Sequence, residues 1–444
     1  MRSVRQFLRA QKGTWLLTAA VFCFAPLLPE YCVPMLCVPA YRRTLRRDVP
    51  LCGTEKAILV YFLWMLLGVL WSRAKVTALS ILFLWSFFFL AGRMVLCTIR
   101  TPLQLDALFY GGTLSAGVAG AIGIVQIFLF HFGGRIARPL KTLFNPFWHP
   151  LDIAAAKLFL RILPERLQPL LQRKEFIAIP SRASGTFTNP VFYAVFLCMM
   201  LPLCAYCLFY FQDRKKRVVS LVCLGLCAGG IAVSYSRGPY LAVAVIFVVL
   251  LFYGARTARK LLAMGGGFLL LLFLAGGGVY RRLLTLLRTD DISVNTRSSI
   301  WKACFKMLRG HWLFGYGTGI GNVRDQLHAI YHIRQPHAHN LFLQILLENG
   351  AIGLVLFLAI LVLFVRQTVR LARRGGRARG VGITLLASAA GFCACGMTDY
   401  LFYGIKPICI FLMLLAMAES AVCMYLPAEE TDVKPSAQKE TQSA

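Results

Sequence analysis

The sequence predicts an all-α, polytopic transmembrane bundle of about 12 spans, with a large extracytoplasmic loop carrying short helices. Three observations predict it. Of the 444 residues, 58% are hydrophobic, more than a soluble surface can accommodate. The apolar residues fall in runs of roughly 17–25, the length that crosses about 30 Å of hydrocarbon as a helix. Alternating ten-residue segments of the β-barrel kind are absent, so helices must satisfy the backbone in lipid.

The predicted spans are Trp15–Leu28, Tyr31–Tyr41, Ala57–Trp71, Val76–Cys97, Ala107–Phe130, Val191–Phe211, Val218–Ser234, Pro239–Tyr253, Leu261–Val279, Leu341–Val365, Val381–Met397 and Ile405–Tyr425. The first two are short and share a Pro29-Glu30 corner. They read as a hairpin, with one kinked helix as the alternative. No signal-peptide cleavage pattern precedes the first span. From Ala428 the chain turns polar, with Pro435 and a Lys/Glu/Gln/Ser bias, as expected of a disordered cytoplasmic tail.

Basic residues flanking spans mark the cytoplasmic side. With the N-terminus inside, the clusters Arg42–Arg47, Arg214–Arg217, Arg256–Lys260 and Arg366–Arg379 all fall inside, and segments 131–190 and 280–340 fall outside. The net charge of +30 exceeds what this bias explains, because the outer segments are basic as well. An outer basic surface suits an anionic partner: phosphate, diphosphate or lipid headgroups. Nucleic acid is not expected, since the basic residues form no soluble domain. Most of the 15 cysteines lie within spans, where Cys behaves as a small apolar residue. Cys393 and Cys395 lack zinc spacing, and no disulfide framework is expected.

All seven histidines, His131, His149, His311, His328, His332, His337 and His339, fall on the outer side or its boundary. Residues 151–176 interleave leucines with Lys157, Arg161, Arg166, Arg173 and Lys174 around Pro164 and Pro169. That pattern predicts a kinked amphipathic element on the membrane surface. Arg182 opens a turn closed by Gly185 and Pro190, and snorkelling to headgroups would account for it as well. Ser236-Arg237-Gly238-Pro239 joins two spans, with Pro239 suited to a first helical turn. An arginine held so near the bundle ordinarily faces a partner or polar cavity.

In the large loop, Arg297–Leu308 predicts an amphipathic helix with Ile300, Trp301, Cys304, Phe305 and Leu308 on one side, capped by Asn295 or Thr296. Gly315-Tyr316-Gly317-Thr318-Gly319 follows no strand and lacks Walker lysine spacing, so it predicts a compact turn. Pro336-His337-Ala338-His339-Asn340 stands where the loop re-enters the membrane. H-x-H could bind zinc, but no third ligand is evident. A neutral histidine beside arginines suits a general base. Asp290-Asp291 reads as a solvated turn rather than a metal-holding pair.

Taken in order, these motifs resemble the O-antigen ligase and O-antigen polymerase superfamily of membrane glycosyltransferases. The matching pieces are Arg182-x-x-Gly185-x-Phe187-x-Asn189-Pro190, Ser236-Arg237-Gly238, Arg297 with Trp301, Gly315-x-Gly317, His339-Asn340 and Glu348-x-Gly350-x-x-Gly353. Val191 stands where members often have Asn, and Trp312 where they often have Pro. The first 180 residues match only in being a bundle of spans.

The resemblance implies a division into N-terminal membrane helices over 1–190, an O-antigen ligase-like membrane domain over 191–426 and a tail over 427–444. It further implies a metal-independent, cofactor-free glycosyltransferase on the outer face of the cytoplasmic membrane. The donor would be a glycan on polyprenyl diphosphate, and the acceptor a glycan, lipid or protein hydroxyl. His339, Arg237 and Arg297 would be catalytic, with Arg182, His337, Asn340, Trp301 and Glu348 binding substrate. Arginine forks suit a diphosphate leaving group. A secondary transporter or flippase for a lipid-linked or small anion is the alternative. It would show repeated halves and mid-span charges, whereas the spans here are nearly charge-free at their centres. A non-catalytic transport or signalling member of the superfamily would lack the Arg/His set.

Overall fold

A computed structural model describes residues 15–28, 33, 50–132, 182–252, 266 and 292–426, and every regular element among them is helical. In chain order these are α1 (Trp15–Phe24), α2 (Gly53–Gly68), α3 (Lys75–Thr98), α4 (Pro102–Phe132), α5 (Pro190–Tyr210), α6 (Arg214–Val233) and α7 (Arg237–Leu251). They continue as α8 (Ile292–Met307), α9 (Ile320–Tyr331), α10 (Leu341–Ala372), α11 (Gly376–Gly396) and α12 (Ile405–Tyr425). Seven of them, α3–α6 and α10–α12, are long and apolar enough to cross a membrane, while α1 and α7 are shorter apolar helices. The expected count of 12 is not reached among the described residues. Tyr31–Tyr41 (except Val33), Leu261–Val279 (except Gly266), the surface element 151–176 and the tail after Leu426 lie outside them.

The helix ends have local causes. Cys52 caps α2 reciprocally with Glu55, which starts the helix four residues before the expected Ala57. Asp213 accepts from the Lys215 and Lys216 amides and caps α6. Asn189 accepts from Val191 N at 2.8 Å with Pro190 at the first helical position of α5. In the large loop, α8 begins at Ile292, so Asn295 and Thr296 lie inside the helix and do not cap it. A second loop helix, α9, follows the glycine turn.

Polar ties fix which helix ends lie together. Lys406 at the start of α12 donates to the carbonyls of Pro26 (3.2 Å) and Thr186 (2.6 Å). At the opposite end Glu419 of α12 accepts from Thr54 and Gln367. Also at that far end, Arg93 pairs with Glu55 at 2.9 Å, and Asp106 joins Tyr206 and Arg377. The basic stretches Arg214–Arg217 and Arg366–Arg379 therefore share the far end, as one charge rule requires. Two apolar cores result. The larger fills the bundle. The smaller joins α8 and α9 to the start of α10 through Ile300, Cys304, Met307, Val323, Leu327 and Leu343.

One element departs from its sequence reading in a way that matters. The span predicted as Leu341–Val365 is a helix broken at Gly350 (φ 67°, ψ −173°). The break frees backbone groups, and the segment before the glycine turn takes them up. Ala351 N donates to Trp312 O at 2.8 Å, and Tyr316 N donates to Leu347 O at 2.8 Å. The loop can lie this close because a Cβ on Gly315 would come within 2.6 Å of Glu348 O and Gly350 N. A Cβ on Gly317 would meet Ser72 Cα at 2.7 Å. Gly315, Gly317 and Gly319 all have positive φ, where only glycine is unstrained. The glycine-rich motif is a docking device between α2, α3 and α10.

Candidate functional site

The site lies at the end of the bundle where α4, α6 and α11 stop and α5, α7, α10 and α12 begin. The Arg182 turn is fixed from both sides. Gln126 of α4 donates to Gly185 O at 2.8 Å and accepts from Gly185 N at 2.8 Å. Ala183 N bonds Val233 O at 3.0 Å. Gly185 (φ 56°) leaves no room for a side chain against the Tyr193 ring. Lys406 Nζ lies 4.3 Å from the Phe187 ring centre and holds the turn from below. Arg182 is thereby directed at the next motif: its Nε donates to Ser234 O (3.1 Å) and its Nη2 to Ser236 Oγ (2.7 Å).

Arg237, half-buried, begins α7 immediately after Ser236. Its neighbour Gly238 sits against Thr398, so closely that a Cβ would overlap the threonine hydroxyl. The Ser-Arg-Gly motif thus abuts the α11–α12 connection, and that connection carries Asp399. Asp399 Oδ1 is 3.1 Å from His339 Nδ1 and 3.9 Å from His337 Nδ1. It also accepts from Tyr400 N at 2.8 Å. Burial alone would raise the Asp399 carboxyl, but its hydrogen bond to His339 and the two imidazoles outweigh burial and hold it below its ordinary value. In the neutral tautomer that donates Nδ1–H to Asp399, Nε2 is the basic nitrogen, and the Gln335 side-chain amide lies 3.5 Å from it.

His339 has φ 48° and Tyr235, beside Ser236, has φ 49°. Non-glycine residues in this region are strained and concentrate at functional sites. The His337 ring packs 5.1 Å from Tyr403 and 4.2 Å from His339, centre to centre.

Asn340, Trp301 and Glu348 have their polar atoms engaged within the protein. Asn340 caps α10 by accepting from Leu343 N at 3.0 Å and donates to Met397 O at 3.1 Å, tying α10 to the Asp399 connection. Trp301 Nε1 donates to Ala338 O at 2.9 Å, so α8 grips the His-x-His segment. Arg297, half-buried, stands one turn before Trp301 on the same helix. Glu348, fully buried, accepts from Gln344 (2.6 Å), from Gly319 N (3.1 Å) and from the Tyr400 side chain. Its bonds link the α10 break, the glycine turn and the Asp399 connection. Asp399 itself escaped the sequence reading. The available signal was an acid in a short connection between two spans, the same kind of position that made Arg237 conspicuous.

His337, His339 and Asp399 have the donor chemistry of a divalent-cation site, with ligand atoms within 4.8 Å of one another. The third ligand that the sequence lacked is therefore present. Two of these atoms already have other partners. His337 Nδ1 accepts from His339 N at 3.2 Å, and His339 Nδ1 faces Asp399. The side chains thus form a hydrogen-bonded His339–Asp399 pair, with His337 held beside it by the His339 amide.

The protein is thus a multi-pass helical membrane protein with an arginine- and histidine-bearing site at one end of its bundle. Residues 222–358 match the family model described as O-antigen ligase, which supports the O-antigen ligase and polymerase superfamily. The match takes in Ser236-Arg237-Gly238, Arg297, Trp301, the glycine turn, His337–Asn340 and Glu348–Gly353, and leaves out Arg182 and Asp399. No curated protein matches the chain.

Proposed function

We propose that the protein is a metal-independent glycosyltransferase acting on the outer face of the cytoplasmic membrane. It transfers or polymerises glycan from a polyprenyl-diphosphate donor onto a hydroxyl of a glycan, lipid or protein acceptor. The observation that carries the reading is the His339–Asp399 contact at 3.1 Å, built on the connection against which Ser236-Arg237-Gly238 packs. Asp399 orients the imidazole so that Nε2 takes the acceptor's proton as the oxygen attacks the anomeric carbon. The bond from that carbon to the diphosphate breaks, and its electron pair leaves with the phosphate oxygen. Arg237 and Arg297 stabilise the departing charge, with Arg182 holding the Ser236 turn and reaching the same region. A single displacement of this kind inverts the anomeric centre. Asn340, Trp301 and Glu348 serve by positioning the His-x-His segment. The basic connections at the opposite end support placing the site on the outer face.

His339→Ala tests the assignment. The variant is expected to insert, to keep its melting temperature and to bind lipid-linked donor, while transfer falls by about 10²–10⁴-fold. His337→Ala is expected to be milder. Full activity of His339→Ala would remove the base. A loss of melting temperature with unchanged specific activity would make the histidine structural.

A further inference from the structure

The glycine turn that docks on α10 carries three consecutive exposed side chains on its leading edge, Trp312, Leu313 and Phe314. Phe314 stacks on Trp64 of α2 with ring centres 6.0 Å apart, and Trp71 lies 5.9 Å from Trp64 and 6.1 Å from Phe314. The cluster is continuous with the outward stripe of α2 and the turn that follows it, where Leu63, Leu67 and Leu70 are 50–73% exposed. Such a stripe on a bundle helix is lipid-facing surface. Aromatic rings at its end stand at headgroup level, where an amphipathic indole is most favourable.

Among the described residues, the charge around the cluster has one sign. Arg73 in the α2–α3 connection and Lys75 at the first position of α3 are exposed, and Lys306 and Arg309 are exposed where α8 ends, three to six residues before Trp312. Arg73 also lies close enough to Tyr316 to act on it electrostatically. Among the described residues of the large loop the exposed acid is Asp325, and it is paired with Arg324 at 2.8 Å. A partner for this surface must offer apolar chains beside an anion.

We propose that the aromatic wedge Trp71-Trp312-Phe314, ringed by Arg73, Lys75 and Arg309, is a docking surface for an anionic phospholipid headgroup. The proposal stands independently of the transfer reaction. Its structural consequence follows from the backbone: Trp312 O accepts from Ala351 N across the break in α10. A lipid seated on the wedge therefore braces the break that carries Glu348 and the His-x-His segment.

The test uses the full chain in nanodiscs of phosphatidylcholine containing a minor share of phosphatidylglycerol. One lipid or the other is brominated near the top of its acyl chain, and tryptophan emission is recorded for wild type and Trp312→Phe. The Trp312 contribution is the difference. Brominated phosphatidylglycerol is expected to quench it at lower mole fraction than brominated phosphatidylcholine, by roughly fivefold for each cation in contact. The preference is expected to shrink as salt shortens the screening length. In the triple variant Arg73→Gln, Lys75→Gln, Arg309→Gln, both lipids should quench alike. Equal quenching in the wild type would mean that the wedge meets lipid without selecting a headgroup, and would overturn the proposal. So would absence of quenching, which would place the wedge in water or against protein, or a preference that survives in the triple variant. All substituted side chains are exposed on the protein surface, and the wild-type comparison needs no substitution.

Discussion

Asp399→Asn isolates the contribution of the carboxylate to the proposed base. The substitution preserves volume and leaves an Oδ1 that still accepts from Tyr400 N and from His339 Nδ1–H. Only the charge is lost. Full charges 3.1 Å apart attract by about 5 kcal/mol at an effective dielectric near 20. Desolvation cancels part of this, and a hydrogen bond to a charged group nets about 1.5–3 kcal/mol. The side chains are 8% and 22% exposed, so solvent screening is incomplete. The interaction is strongest when the imidazole is protonated, which in the proposed reaction occurs only as the acceptor's proton is taken. The transfer rate should therefore fall roughly 10- to 150-fold, with donor binding unchanged. The assay is single-turnover transfer in detergent or nanodiscs, with thermal unfolding measured on the same preparation. Because Asp399 has a lowered folded pKa, its contribution to stability is present above its ordinary value of 3.8 and is lost as pH falls through the folded value. The wild type should thus lose its stability advantage over Asp399→Asn only in strong acid. Activity within twofold of wild type would refute the dyad. A lowered melting temperature with the specific activity of the folded fraction unchanged would make Asp399 a purely structural tie.

Three further outcomes follow from the same geometry. Arg237→Lys and Arg297→Lys should lose nearly as much transfer as the Ala variants, about 30- to 1000-fold, because lysine lacks the planar fork; near-normal glycan output from the Ala variants at equal protein level would sink the clamp. Transfer should persist in excess EDTA, since His337 Nδ1 already accepts the His339 amide; activity lost to chelator and restored by Mg²⁺, Mn²⁺ or Zn²⁺ would convert His337, His339 and Asp399 into a metal site. Gly350→Ala places a side chain at φ 67° and into the Leu313 carbonyl, costing about 1–3 kcal/mol in backbone strain alone; an unchanged melting temperature would mean that the break in α10 is not needed.

The sequence by itself determined the membrane character and most helix limits, because apolar run length is a local property that lipid enforces segment by segment. It also singled out Arg182, Arg237 and the His-x-His segment, since charge and histidine next to hydrocarbon are conspicuous wherever they fold. Glycines at Gly185, Gly315 and Gly317 were legible as turns, but not as docking points against Tyr193, Glu348 and Ser72. Those partners are chosen only when helices pack. Asp399 lies 60 residues from His339, and the Thr398-Asp399-Tyr400 stretch shows no pattern that names its partner. Likewise, hydropathy reads straight through Gly350, where apolar residues continue on both sides. A helix can break there only because the Trp312–Tyr316 backbone arrives to take up the freed groups. Tertiary structure decided these points because a buried hydrogen bond requires two groups brought together from distant parts of the chain, and helix packing alone brings them together.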